Sequence, residues 1–333
     1  MASMTDPDLK QKVAPKTNIE ADKSPVPNIA VSTSFSKQKY LYAYVSPAEI
    51  QHFFRTQAHE DENKRLPEVL KKWHSIQSKV NMTRQKEAGQ ADSITIQIIP
   101  PEHEAQVSKI VNDPNFQKTF SNFETYTSVV EIDKLIVKQN TINVDYAKKL
   151  KNSYPEKPTF KELIDICLSP SRDMEPIQHL ELPAPNPVHV FSSLSSDLRF
   201  LGSTIKTLTP DDLKYSPGGL PGAAIITFIG YGVASINAYQ VGSRIILNNG
   251  THRVYTLRSL GVTHIPIVIQ KIDPSSPLLN QVLGGAAQYL CANPRPIFMK
   301  DFFDDDFTLT VNMPRYIQTV TVIVNQDTHS VPT

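Results

Sequence analysis

Apolar positions along this chain change period several times, and each change marks an element. Leu66, Val69, Leu70, Trp73, Ile76 and Val80 fall on one helical face, which predicts a helix over 66–80 with Trp73 on its core side. Phe160, Leu163, Ile164 and Cys167 keep i, i+3, i+4, i+7 spacing behind Thr159. That predicts a capped helix over 160–168 and makes Cys167 a buried small hydrophobe. Ser46 as N-cap and Pro47 at the first position open a further helix through Ala58. Helices are also predicted over 102–111, over 144–150 on the solvent side, and over 277–290. Short β-rich runs predict strands at 41–45, 93–99, 128–138, 223–229, 308–311 and 316–325.

The densest pattern lies over 231–270, YGVASINAYQVGSRIILNNGTHRVYTLRSLGVTHIPIVIQ. A strand over 233–240 can pair with 244–247 across Val241-Gly242-Ser243. Asn248-Asn249-Gly250 breaks the second strand, because Asn and Gly tolerate positive φ. Thr251 is the expected N-cap of a helix carrying Val254, Leu257 and Leu260, and Gly261 ends it. The β-branched run over 265–269 predicts a buried strand. A helix N-terminus presents backbone N–H groups and partial positive charge, so the corner at Gly250 is suited to an anion. His252 and Arg253 stand in the first turn, where cations oppose the dipole unless an anion lies between. The bland alternative is that Arg253 pairs with a carboxylate and His252 caps a core.

The residues Asn249-Gly250-Thr251-His252-Arg253, followed by Tyr255-Thr256-Leu257-Arg258-Ser259-Leu260-Gly261, resemble the glycine-x-His-Arg loop and following helix of the ParB/sulfiredoxin-like superfamily. The resemblance covers 231–270 and, more weakly, 129–150. It implies an α/β (α+β) fold in which this loop and helix N-terminus hold nucleotide phosphates. Asn248, Asn249, Gly250, Thr251, His252 and Arg253 are then the phosphate-binding set, with Glu131, Asp133 and Arg258 in support if they face the same cleft. The alternative for the two carboxylates is plain exposure on a strand. Thr251 stands where sulfiredoxin has a cysteine, so sulfinic-acid reduction lacks its nucleophile. The loop also differs from the Gly-Glu-Arg-Arg form of the CTP-hydrolysing partition proteins. Asn248 and Asn249 stand where the superfamily's serine kinases open with an aspartate, and an amide cannot act as a base. The resemblance leaves a cradle whose reaction is unassigned between nucleotide hydrolysis and phosphoryl transfer, with a nucleotide and Mg²⁺ as the implied cofactor class.

Composition sets outer limits. The chain has 333 residues and a net charge of +1, so no general attraction to nucleic acid or anionic membrane is implied. Two cysteines, Cys167 and Cys291, lie far apart without a CxxC partner, which argues against a disulfide framework or a thiolate metal site and suits a reducing cytoplasm. No apolar run of about eighteen residues predicts a membrane span, and no signal-peptide core is visible. The expectation is a soluble cytoplasmic protein. Its expected organisation is a disordered tail over 1–36, an N-terminal α/β region over 37–125, and the ParB/sulfiredoxin-like unit over 126–273. That unit carries a proline-rich insertion near 169–222, and a helix and strands follow over 274–333.

Other chemistry is thinner. His59, Glu60, Asp61 and Glu62 offer metal-ligand types, but adjacent residues in a solvated connection rarely converge on an ion. His103-Glu104 lacks a histidine four positions on, so the zinc-helix pattern fails. The acidic run over 301–306 lacks calcium-loop spacing and predicts a solvated turn. The leading function is nucleotide or phosphate binding. A ParB-like DNA-binding protein or nuclease is the alternative, although no helix-turn-helix follows the loop. A non-catalytic scaffold that keeps the fold is the third.

Overall fold

The structure is a computed structural model and describes residues 35–171, 173–182, 187–215, 219–326 and 328. The described chain begins as a strand, β1 (Phe35–Tyr40), and Tyr42–Tyr44 then close into a buried 3-10 turn. Ser46 forms a capping box with Glu49 and Pro47 occupies the first turn, which starts α1 (Pro47–Thr56) where the pattern placed it. A 3-10 segment, Glu60–Arg65, leads into α2 (Leu66–Lys86). A short strand β2 (Ile96–Gln97) precedes α3 (Glu104–Val111) and α4 (Pro114–Thr119), the latter capped by Asp113. Strands β3 (Thr125–Glu131), β4 (Ile136–Val137) and β5 (Thr141–Asn143) run into α5 (Val144–Ser153), capped by the Asn143 side chain. A Thr159–Glu162 capping box starts α6 (Phe160–Leu168).

Four strands follow: β6 (Gln178–Leu182), β7 (Val188–Ser193), β8 (Leu198–Lys206) and β9 (Ala224–Tyr231). Then come β10 (Asn237–Val241), β11 (Arg244–Asn249), α7 (Thr251–Ser259) and β12 (His264–Ile272). The chain closes with α8 (Leu278–Leu283), α9 (Ala287–Ala292), β13 (Leu309–Pro314) and β14 (Gln318–Ile323).

The fold is mixed α/β. Its main sheet has the order β2-β3-β12-β10-β11-β4, with β12 parallel to β10, β4 parallel to β11, and antiparallel pairs elsewhere. Ile265, Ile267 and Ile269 of β12 face a core formed with Val254 and Leu257 of α7, Ala147 of α5, and Leu163 and Cys167 of α6. Val268 packs on the other face with Phe116, Phe120, Ile164 and Leu168. Cover on both faces is why β12 is a continuous apolar run, and each buried isoleucine contributes roughly 1.5–3 kcal/mol. β1 lies between β13 and β5 in a second sheet, which ties the first described strand to the last third of the chain. The described residues belong to one compact unit, Thr33–Thr333.

Several local expectations are corrected. The expected tail falls outside the described residues except for Phe35 and Ser36, which open β1. The strand comes before, not within, 41–45, because Tyr42, Ala43 and Tyr44 are all buried and cannot alternate. The strand over 128–138 is interrupted by a 3-10 turn at Ile132–Lys134, which separates β3 from β4. The helix over 144–150 buries Ala147, and Thr256 donates to the Ala147 carbonyl at 3.3 Å. Within 169–222 lie β6, β7 and β8, so much of the expected insertion is sheet. The helix over 277–290 breaks at Gly284, whose φ of +65° ends α8. Among the described residues no helix is long and apolar enough to cross a membrane.

Charge pins the periphery. Arg295, 2% exposed, places its guanidinium fork on Asp301 at 2.5 and 2.6 Å and also donates to Glu87 at 2.7 Å. The Phe298 amide donates to Asp301 at 2.8 Å, and the Tyr44 and Phe298 rings stack against the guanidinium. The acidic run is therefore not simply a solvated turn: Asp301 is buried, while Asp304 and Asp306 pair with Lys79. Burial pushes the Asp301 carboxyl up and these donors oppose it. Arg244 similarly forks onto Asp92 at 2.8 and 2.9 Å and donates to the Leu290 and Asn293 carbonyls, joining β11 to α9. That hydrogen bonding holds the Asp92 carboxyl below its ordinary value.

Two outcomes follow from these pairs. Asp301→Ala removes the buried half of the Arg295 pairing and leaves Glu87 as the guanidinium's remaining carboxylate, so it should lower unfolding stability by about 3 kcal/mol in urea titration. Asp92 has a depressed folded pKa, so its contribution is present above the ordinary carboxylate value and lost as pH falls through the folded one. Urea midpoints between about pH 6 and about pH 2 should fall less steeply in Asp92→Asn than in the native chain.

Candidate functional site

The corner between β11 and α7 is made by a single residue. Gly250 has φ +99°, and a Cβ there would lie 2.8 Å from Cγ1 of Ile236 and 3.2 Å from Nη2 of Arg253. Only glycine meets both demands, the left-handed backbone and the close approach. The helix cap is Gly250 rather than the expected Thr251, which instead sits in the first turn, and no side chain caps that turn. Among the described residues the corner is partly open: Asn248, Asn249, Gly250 and His252 are half-buried, whereas Thr251 and Arg253 are buried.

His252 and Arg253 each reach a neighbouring helix end. The Asn143 backbone amide, at the N-cap of α5, donates to Nε2 of His252 at 2.9 Å, which leaves the ring proton on Nδ1. The His252 ring lies edge-on to Tyr146. Arg253 donates from Nη1 to the Ile166 carbonyl at 3.3 Å, in the last turn of α6. A cation at a helix C-terminus is favourable, typically by ~0.3–1 kcal/mol. The same helix end receives the Ile236 amide on the Cys167 carbonyl and the Ser235 hydroxyl on the Leu168 carbonyl. Burial pushes the Cys167 thiol up to about 12, and the charge of Arg253 acts against that shift. The His-Arg pair thus fastens the start of α5 and the end of α6 to the start of α7.

Asn248 and Asn249 fasten the other side. Asn249 donates to the Val233 carbonyl at 3.1 Å, holding the lead into β10. Asn248 donates to Oδ1 of Asn237 at 2.9 Å, and Gln270 donates to the same oxygen at 3.3 Å. A row of amides therefore crosses β12, β10 and β11, buried at Gln270 and Asn237. At its outer end Nζ of Lys138 lies 3.3 Å from Oδ1 of Asn248. Lys138 follows β4, which runs parallel to β11, so its ammonium stands at the carboxyl ends of a parallel pair. The residue is exposed by area, yet desolvation around its amine lowers its pKa.

The supporting residues lie elsewhere. Arg258 forks onto Asp133 at 2.7 and 3.1 Å in the last turn of α7 and stacks on Phe303, while Arg253 is in the first turn. The Asp133 hydrogen bond raises the Arg258 pKa further. Glu131 pairs with Lys134 at 3.2 Å, and its strand neighbour is His264, beyond the helix. The structure thus gathers Asn248, Asn249, Gly250, Thr251, His252 and Arg253 at one corner and leaves Glu131, Asp133 and Arg258 at the other end of α7.

The sequence reading missed Lys138, Asn143 and Asn237. A lysine closing a strand carries no local signal, and only the parallel pairing of β4 with β11 brings it to the loop. Among the described residues no three His, Cys, Asp or Glu side chains converge as a metal set. Glu62, in the acidic stretch considered for a metal, is buried and accepts from Arg65 and Asn312.

Gly250→Ala should cost about 2–3 kcal/mol in urea unfolding, from left-handed backbone strain and overpacking against Ile236. The cost of Gly250→Ala should be smaller when measured in an Ile236→Ala background, which removes both γ carbons at the contact. No protein-family model, no curated protein and no solved structure matches this chain.

Proposed function

We propose that this corner binds a phosphate-bearing ligand, with a nucleotide as the leading class and the reaction unassigned. The observation that carries the reading is an α-helix opening on a left-handed glycine without a side-chain cap, beside the Lys138 ammonium at the carboxyl ends of β4 and β11. Helix N-terminal amides and a nearby ammonium complement phosphate oxygens by dipole and charge. The resemblance of the loop to the ParB/sulfiredoxin-like superfamily supports the same ligand class. In this reading the Gly250 and Thr251 amides and Lys138 contact phosphate. His252 and Arg253 keep the loop rigid from beneath, since both are engaged with helix ends. Asn248 orients Lys138.

Titration calorimetry with inorganic phosphate, ATP, CTP and GTP, each with and without Mg²⁺, tests this. Binding should weaken by roughly tenfold or more in Lys138→Ala, the loss of one charge-assisted hydrogen bond of about 1.5–3 kcal/mol. The melting temperature of the unliganded variant should stay close to native, because Lys138 is exposed. Absence of heat at millimolar ligand, or equal affinity in Lys138→Ala, would defeat the proposal.

A further inference from the structure

The ribbon formed by β8 and β9 is a sheet of two strands only, paired from Leu198↔Tyr231 to Lys206↔Ala224. Its base is anchored, since the Tyr231 hydroxyl donates to Oγ of Ser193 at 2.8 Å. Beyond the base, large apolar side chains of the ribbon are left uncovered by the described residues. Ile205 is 76% exposed, Ile225 73%, Phe200 55% and Phe228 51%, with Leu201 and Ile226 also exposed. At roughly 200 Å² for a whole residue of this size, these six present about 700 Å² to solvent. Divided between the two faces, each share lies within the ~300–600 Å² of an ordinary monomer's largest patch, but a partner that met both faces at once would cover close to the ~800 Å² per partner of a stable interface.

The two edges of the ribbon differ. β8 lies alongside β14 and carries Arg199 and Lys206, charges of the kind that keep an edge from pairing. β9, with sequence AIITFIGY, has no charge and no proline, and among the described residues it pairs with β8 alone. Its outer N–H and C=O groups form an open, strongly β-forming edge. The exposed residues also occupy both faces: Ile205 and Ile225 form a cross-strand pair on one, and Ile226 and Phe228 lie on the other. A partner resting on one face would leave the other wet. A lipid core would strand the unpaired backbone groups of the edge. A strand added to the edge satisfies those groups and brings side chains beside both apolar faces at once.

We propose that β9 pairs antiparallel with β9 of a second copy about a twofold axis, joining two ribbons into one four-stranded sheet. The strand suits its own copy: without charge, an antiparallel self-pairing sets no like charges opposite one another, and Arg199 and Lys206 fall on the outer strands.

Light scattering after size exclusion, across micromolar concentrations of the full chain, should give a mass rising to twice the 37.3 kDa of one chain. Ile225→Lys with Phe228→Lys puts a charge on each face of the β9 strand, beside the joint between the copies, and should return the mass to one copy, with far-ultraviolet circular dichroism unchanged. Hydrogen exchange on the native chain supplies a readout independent of that variant: β9 amides should gain protection as concentration rises, while β12 amides stay constant. A native chain monomeric at every concentration, a dimer whose β9 amides gain no protection, or a folded lysine variant that still doubles its mass would each overturn the proposal. So would a monomer that floats with phosphatidylcholine–phosphatidylserine vesicles, which would assign the ribbon to a lipid surface.

Discussion

One backbone angle governs the middle of this protein. β11 ends at Asn249 and α7 begins at Thr251, so the chain turns from strand to helix on Gly250 alone. A longer loop would let the helix drift, whereas a single left-handed residue fixes its axis relative to the strand. The glycine also permits Ile236, at the entrance to β10, to press against the corner. Through Ile236 the constraint reaches α6, whose Cys167 carbonyl accepts the Ile236 amide. β10, β11, α6 and α7 thus meet where no side chain can be added.

That crowding explains the unusual use of His252 and Arg253. Three helix termini approach this corner: the start of α7, the start of α5 and the end of α6. Helix ends leave backbone groups without intrahelical partners, and burial makes an unmet group costly, by about 1–3 kcal/mol. Arg253 supplies a cation and a donor to the carbonyl end of α6, and His252 supplies an acceptor to an amide at the start of α5. Both groups go where dipole and hydrogen-bond valence call for them. A cation seated in the first turn of α7 opposes that helix's own dipole, but the guanidinium has been carried across to a terminus of the opposite sign. What remains on the open side of the corner is backbone amides and Lys138.

Local rules were legible where they acted alone. Ser46, Thr159 and the helical stripe from Leu66 to Val80 could be placed because caps and periodicity involve residues within a few positions of one another. The run from Ile265 to Ile269 was legible as buried strand because cover on both faces leaves no polar position to obscure it. What escaped depends on contacts across the fold. Tyr42 and Tyr44 look like strand residues, but each hydroxyl reaches the distant acidic segment, Tyr42 to the Asp306 carbonyl and Tyr44 to Asp301, and the turn follows from that packing. Ser192 and Ser193 fall in the stretch expected as a proline-rich insertion, yet both are buried in β7 between β6 and β14. Asp301 looked solvated because, although Arg295 stands only six residues away, the pair is buried by the distant Tyr44 and Glu87 that pack around it.

The amide row from Gln270 through Asn237 to Asn248 has the same logic at the level of a sheet. On β12, Val268 belongs to one apolar cluster and Ile272 to another, and Gln270 stands between them. An isolated amide there would cost more than it gives, since each unpaired polar atom forfeits its hydration. Here Oδ1 of Asn237 accepts from both Gln270 and Asn248, so both of its lone pairs are used, and Nδ2 of Asn237 donates to the Ser235 carbonyl. A filled network of this kind constrains geometry, because each member has one orientation that satisfies its neighbours. Its outer member, Asn248, is thereby held with Oδ1 toward Lys138, and the position of a surface ammonium is set from within the sheet.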